Sequence, residues 1–224
     1  IIKELNLNKD HYKAKQIRNR ISSLKNNFIT AENYFNNPEI IEVDKLSKRS
    51  EFGIIYKRYV ERCFRSSVMD FDDLLLKTNE LLNKFPEVLS KYQDKFRYIL
   101  VDEYQDTNYS QYLIIKALSD RHQNLCVVGD DSQSIYSFRG ANIDNILNFK
   151  KHYPDCKIYK LEQNYRSSNN IVQCANSLIQ NNQFKLDKTI WTQNNDGEKI
   201  IINKSLSDSD EGRYIASNIF EKKN

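Results

Sequence analysis

With 224 residues and 26.6 kDa, the chain is large enough for one large domain or two small ones around a sizeable core. Its balance of 39% hydrophobic and 29% charged residues is that of a soluble globular protein. No run approaches the ~20 apolar residues of a membrane span, and no signal peptide opens the chain. Cys63, Cys126, Cys156 and Cys174 lie far apart with no C-x-x-C pair, which excludes a disulfide scaffold and a thiolate zinc finger and points to a reducing, cytoplasmic setting. His11, His122 and His152 are equally scattered, so a histidine metal site is not expected.

The net charge of +4 is uneven: residues 1–66 hold 14 Lys/Arg against 8 Asp/Glu, and the remainder is slightly acidic. A basic front end fits either a solvated helix surface or a contact with a phosphate backbone. Within it, Ile17, Ile21, Leu24 and Phe28 recur at helical spacing, an Asn-rich stretch with Pro38 reads as a loop, and Phe52, Ile55, Tyr59 and Cys63 mark a second amphipathic helix. Asp70 then stands as the N-cap of a helix through about Leu82, with Asp72 and Asp73 in its first turn. Three close carboxylates could hold a metal, but their spacing fits a helix start better.

From Tyr98 a pattern repeats three times. Tyr98–Val101 leads into Asp102-Glu103-Tyr104-Gln105-Asp106, then a helix from about Tyr109 to Arg121 with Asn108 as cap. Leu125–Val128 leads into Gly129-Asp130-Asp131-Ser132-Gln133, then a helix from about Ile143 to Tyr153. Ile158–Leu161 leads into Glu162-Gln163-Asn164-Tyr165-Arg166, then a helix from Ile171 to Ile179. A β-type run at Lys199–Ile202 and a helix from about Asp208 to Glu221 complete the chain. Continuous apolar strands alternating with helices indicate an α/β fold whose parallel sheet is buried on both faces. Right-handed crossovers then bring the three polar clusters to one sheet edge, where open α/β sheets bind ligands.

Asp102 is a sensible magnesium ligand, because magnesium keeps most of its waters and takes one or two carboxylates. Glu103 could orient and deprotonate an attacking water. Gln133 could meet a terminal phosphate or that water, or simply be solvated. Arg166 has the guanidinium fork that stabilises a transferring phosphoryl group. Tyr165 could stack on a base or belong to a core. Tyr136, Phe138 and Arg139 form an aromatic–basic cluster that fits base stacking, or a hydrophobic turn under the sheet.

Taken together, the clusters resemble the motifs of superfamily-one DNA helicases of the UvrD/Rep/PcrA type. Val101–Asn108 resembles their Walker B segment, Val128–Ala141 their third motif and Leu161–Ser167 their fourth; Asp70-Phe71-Asp72-Asp73-Leu74 is similar to the helix start that precedes Walker B. The resemblance implies a RecA-like P-loop NTPase sheet, incomplete and without its phosphate-loop strand, preceded by a helical insertion-domain segment. Residues 1–66 would end the insertion domain, 67–165 would form the C-terminal part of the first RecA-like domain, and 166–224 would begin the second. It implies ATP and Mg2+, with Asp102 on the metal, Glu103 activating water, Gln133 sensing the γ-phosphate, Arg166 reaching it and Tyr165 against the adenine. Tyr136, Phe138 and Arg139 would touch single-stranded DNA, and the whole protein would translocate 3′-to-5′ and open duplex junctions, as in DNA repair. Ser132 and Phe138 stand where family members often have Asp and Trp. The alternatives are a non-catalytic nucleic-acid-binding or protein-docking module, and the helicase part of a helicase–nuclease. The sequence determines neither loading partners nor the repair or replication proteins involved.

Glycines 53, 129, 140, 197 and 212 all precede residues other than Lys, so these 224 residues contain no G-x-x-x-x-G-K-[ST]. Beginning at Ile1 with a lone Met69, the chain reads as an internal piece of a longer protein. The purified chain is therefore expected to hydrolyse no ATP; magnesium-dependent phosphate release from it would contradict that reading.

Overall fold

Ile17, Ile21 and Leu24 line the buried face of α1 (Ala14–Asn26) in the computed structural model, which describes residues 1–223. Phe28, expected on the same helix, lies past its end with φ +58°, where the chain reverses. The stretch expected as a loop forms two short helices, α2 (Ala31–Phe35) and α3 (Pro38–Leu46). Thr30 Oγ1 accepts from the Asn33 amide at 3.0 Å, and Asn37 Oδ1 accepts from the Ile40 amide at 3.2 Å. Pro38 starts α3 rather than breaking it, because the first helical position needs no amide donor. With α4 (Phe52–Arg65), these helices enclose Tyr12, Tyr34, Phe52, Ile55 and Tyr56. Asp44, 2% exposed, is held there by Arg20 at 3.2 Å and by the Tyr34 hydroxyl at 3.1 Å. Burial, reinforced by the Asp44 charge, pushes the Tyr34 hydroxyl well above its ordinary pKa.

Helix α5 (Phe71–Lys84) opens on a capping box: Asp70 Oδ1 accepts from the Asp73 amide at 2.8 Å, and Asp73 Oδ2 accepts from the Asp70 amide at 3.2 Å. The same two carboxylates receive a buried cation. Lys25, at the C-terminal end of α1 and 0% exposed, lies 2.7 Å from Asp70 and 2.8 Å from Asp73, with its ammonium 5.1 Å from the Tyr59 ring centre. The cap expected from sequence is present, and its acidity also serves a tertiary contact.

Helix α6 (Pro86–Lys95), not anticipated, leads to β1 (Ile99–Val101), α7 (Tyr109–Ser119) and β2 (Leu125–Val127). Asn108 and Gln111 cap α7 reciprocally, as read from sequence. The strands pair in parallel, Ile99 with Leu125, Leu100 with Cys126 and Val101 with Val127. They are not buried on both faces: Ile99, Val101, Leu125 and Val127 are half-covered, whereas Leu100 is 77% exposed and Cys126 is exposed. Two strands make a narrow ribbon, and among the described residues no layer covers its Leu100 face. The expected helix at 143–153 divides into α8 (Asp144–Leu147) and α9 (Phe149–His152) at Asn148.

The chain divides into two compact units, the first ending at Cys156 and the second starting at Lys157, ahead of the 165/166 boundary read from sequence. The second contains α10 (Asn169–Ile179) and α11 (Asp208–Lys223). The third strand is a correction: Ile158–Leu161 forms none, and neither does Lys199–Ile202. An apolar run becomes a strand only where its backbone meets a partner. In this unit the pairing occurs further along, with the Asn164 amide donating to the Trp191 carbonyl at 2.7 Å and the Trp191 amide to the Glu162 carbonyl at 2.9 Å.

Removing the Lys25 ammonium leaves the buried Asp73 and the part-buried Asp70 carboxylates without their shared counter-charge, so Lys25→Ala is expected to destabilise the first unit by about 3 kcal/mol in urea unfolding. Burial alone would raise the Asp70 carboxyl, but the Lys25 and Tyr59 donors outweigh it and hold it below the ordinary carboxylate range. A lowered folded-state pKa contributes stability above the unfolded value and loses it as pH falls through the folded one. The stability gap between the wild type and Asp70→Asn should therefore be constant above about pH 5 and shrink below about pH 4; a pH-independent gap would count against it.

Candidate functional site

Parallel pairing of β1 with β2 places the segments that follow them side by side. The Val128 amide donates to the Val101 carbonyl at 2.8 Å, and the Tyr104 amide to the Val128 carbonyl at 2.9 Å. Asp102 Oδ1 accepts from the Glu103 amide at 2.9 Å, and Glu103 adopts φ +51°, turning the chain sharply off the strand. Single-turn 3₁₀ segments at Tyr104–Asp106 and Asp131–Gln133 follow the two strands. In the second, Asp130 Oδ1 accepts from the Ser132 amide at 3.0 Å and Asp130 Oδ2 accepts from Gln133 Nε2 at 2.8 Å. The loop thus uses the Ser132 backbone; the Ser132 Oγ is buried without a hydrogen-bond partner.

Gln105 joins the two tips, and the sequence reading assigned it no role. It is 1% exposed; its Nε2 donates to Glu103 Oε2 at 2.8 Å and its Oε1 accepts from the Asp130 amide at 3.0 Å. The carboxamide occupies the space beside Gly129, where a Cβ would fall 2.5 Å from Gln105 Oε1 and 3.2 Å from the Tyr104 amide nitrogen. The only sequence signal was an uncharged polar residue among acids at a strand end.

Asp102 is exposed and keeps one carboxylate oxygen away from its hydrogen bond to Glu103. A single such carboxylate is what magnesium, keeping its waters, takes from a protein, so the donor set fits that ion. Among the described residues, no group of three His, Cys, Asp or Glu could hold a metal by itself.

The loop beyond Gln133 carries the aromatic cluster. Tyr136 and Phe138 have ring centres 5.9 Å apart, and the Arg139 guanidinium lies 5.0 Å from one and 5.4 Å from the other. Phe138 is 76% exposed. A hydrophobic turn packed under the sheet would bury that ring, which is not its arrangement among the described residues. Gly140, at φ +90°, ends the turn against Asn26 of α1. The Asn142 amide then donates to the Thr107 carbonyl at 2.9 Å, fastening the aromatic loop to the residues just after the acidic turn.

Tyr165 and Arg166 belong to the second unit. Asn164 Oδ1 accepts from the Arg166 amide at 2.9 Å and the Ser167 amide at 2.8 Å, and Asn194 Nδ2 donates to the carbonyls of Tyr165 and Ser167. Tyr165 is 79% exposed. First-unit geometry therefore joins Asp102, Glu103 and Gln133 and gathers Tyr136, Phe138 and Arg139, while Tyr165 and Arg166 share a separately braced turn.

Residues 1–154 match the family described as UvrD/REP helicase N-terminal domain, and residues 159–224 the UvrD-like helicase C-terminal domain. The chain is 41% identical over 99% of its length to the ATP-dependent DNA helicase PcrA of Bacillus subtilis, covering 29% of that protein. It is 41% identical over 98% of its length to the PcrA of Leuconostoc citreum, covering 28% of it. Against DNA helicase II of Rickettsia typhi the identity is 52% over 74% of this chain and 25% of that protein. The chain thus spans less than a third of the length of these relatives. With both of its units matched in order, and with the acidic and aromatic turns held on adjacent parallel strands, the chain belongs to the UvrD/REP helicase family.

Proposed function

We propose that this chain is the segment of an ATP-dependent DNA helicase that connects nucleotide hydrolysis to movement on single-stranded DNA and opening of duplex junctions. The observation that carries the reading is the adjacency of two turns on paired strands: one bears Asp102 and Glu103, the other Gln133 and then Tyr136, Phe138 and Arg139. Asp102 holds magnesium, which supplies positive charge against the phosphates of ATP. Glu103 orients the attacking water and accepts its proton. Gln133 reads the terminal phosphate, and Arg166 stabilises the charge on the transferring phosphoryl group. Tyr165 offers its exposed ring to the adenine. Tyr136 and Phe138 stack on bases, and Arg139 meets the backbone.

The ring cluster and the phosphate-sensing glutamine share one loop, so a shift of either displaces the other. That continuity supports coupling of hydrolysis to strand movement, and the described residues contain no helix long and apolar enough to cross a membrane.

In the full-length protein, Glu103→Gln is expected to lower DNA-stimulated ATP turnover by about 10²- to 10⁴-fold; wild-type turnover would remove Glu103 from the chemistry. Phe138→Ala is expected to weaken single-stranded DNA binding by about 1–3 kcal/mol, with affinity falling steeply as salt rises. Fluorescence anisotropy across a salt series measures both, and salt-independent binding would contradict the electrostatic part.

A further inference from the structure

We propose that Gln105 is a positioning residue that aims the Glu103 carboxylate and ties it to the Gln133 loop, an inference that rests on the roles assigned above to Glu103 and Gln133. Three hydrogen bonds run in series. Gln105 Nε2 donates to Glu103 Oε2 at 2.8 Å, the Asp130 amide donates to Gln105 Oε1 at 3.0 Å, and Gln133 Nε2 donates to Asp130 Oδ2 at 2.8 Å.

The chemistry of the central link explains why it is a carboxamide. A side chain 1% exposed has no water to satisfy it, and this one meets an acceptor on one side and a donor on the other. Only one amide orientation serves both. Glutamate of the same shape keeps the acceptor for Asp130 but loses the donor and sets a second negative charge beside Glu103. Lysine or arginine would supply a donor to Glu103 but no acceptor for the Asp130 amide. A neutral donor fixes Glu103 Oε2 and leaves Oε1 for the water.

Gly129 independently supports the arrangement. A Cβ there would overlap Gln105 Oε1 at 2.5 Å and Ile146 Cδ1 at 2.9 Å, so the missing side chain makes room for the amide. Gln105 also accepts the Ser134 hydroxyl at its carbonyl, 3.4 Å away, giving the Gln133 loop a second tie to the same residue. Displacement of the loop that carries Phe138 therefore reaches Glu103 through Gln105.

The test uses the full-length protein and single-stranded-DNA-stimulated ATP hydrolysis. Gln105→Leu and Gly129→Ala are each expected to lower kcat by about 10- to 100-fold while KM for ATP stays within about threefold. Gln105→Glu, which keeps an acceptor for the Asp130 amide but loses the donor to Glu103, should lower kcat to the same extent. The double variant Glu103→Gln, Gln105→Leu should be no slower than Glu103→Gln alone, within about twofold. Wild-type kcat in Gln105→Leu beside a slow Glu103→Gln would overturn this inference alone. Wild-type kcat in Glu103→Gln would overturn the assignment of Glu103 and this inference with it. Additive losses in the double variant would show Gln105 acting elsewhere, and would overturn it too. Should Gln105→Leu fail to fold, the isosteric Gln105→Glu decides: wild-type kcat in that variant refutes the positioning role.

Discussion

A buried ammonium ties three helices of the first unit to one another. Lys25 arrives from the end of α1 and is shared by the two carboxylates that cap α5, while Tyr59 of α4 covers it and donates to Asp70 at 2.8 Å. A buried charge is costly unless paired and hydrogen-bonded, so the three helices that contribute to this cluster are held in one arrangement. The neighbouring backbone extends the effect: the Lys25 carbonyl accepts the Ser110 hydroxyl at 2.8 Å, and Asn26 Oδ1 accepts from Asn108 Nδ2 at 2.8 Å. The end of α1 is thereby fastened to the start of α7, which follows directly on the acidic turn.

That anchoring matters because the sheet itself is slight. Two three-residue strands with one open face cannot by their own packing fix the side chains of the turns that follow them. Side-chain and backbone hydrogen bonds perform that task instead. Gln105 spans the acidic turn and the Asp130 loop, and Thr107 receives both the Asn142 amide and the Asn145 carboxamide. The scaffold is braced by a charge, whereas the site is braced by neutral amides, and the difference is physical. At Glu103 a neutral amide directs the carboxylate without adding a charge beside it.

Local signals were legible where the chain needed no distant partner. Asp70 with Asp73 and Asn108 with Gln111 formed capping boxes at the positions their spacing indicates, because a cap is satisfied by amides two or three residues away. Pro38 misled, since proline both breaks helices and starts them, and only the Asn37 cap decides between the two. The run at Ile158–Leu161 misled for a different reason: apolar and aromatic residues record a preference, whereas a strand requires a neighbour, and the bridge in that unit joins Gln163 to Trp191 instead.

Among the residues given a proposed role, Asp102, Glu103, Gln133 and the Tyr136–Phe138–Arg139 cluster were singled out from residue type and motif order alone. Chemistry of this kind requires particular functional groups at the ends of strands, and those are written in the chain. Gln105 and Lys25 could not be singled out. A glutamine among acids and a lysine on a basic helix are ordinary surface residues until folding removes their water. By itself the sequence determined which groups were present, where helices begin and which family the chain resembles. Only the tertiary structure decided which of those groups had to satisfy one another, because the need for a partner arises on burial and the partner can lie 25 or 45 residues away.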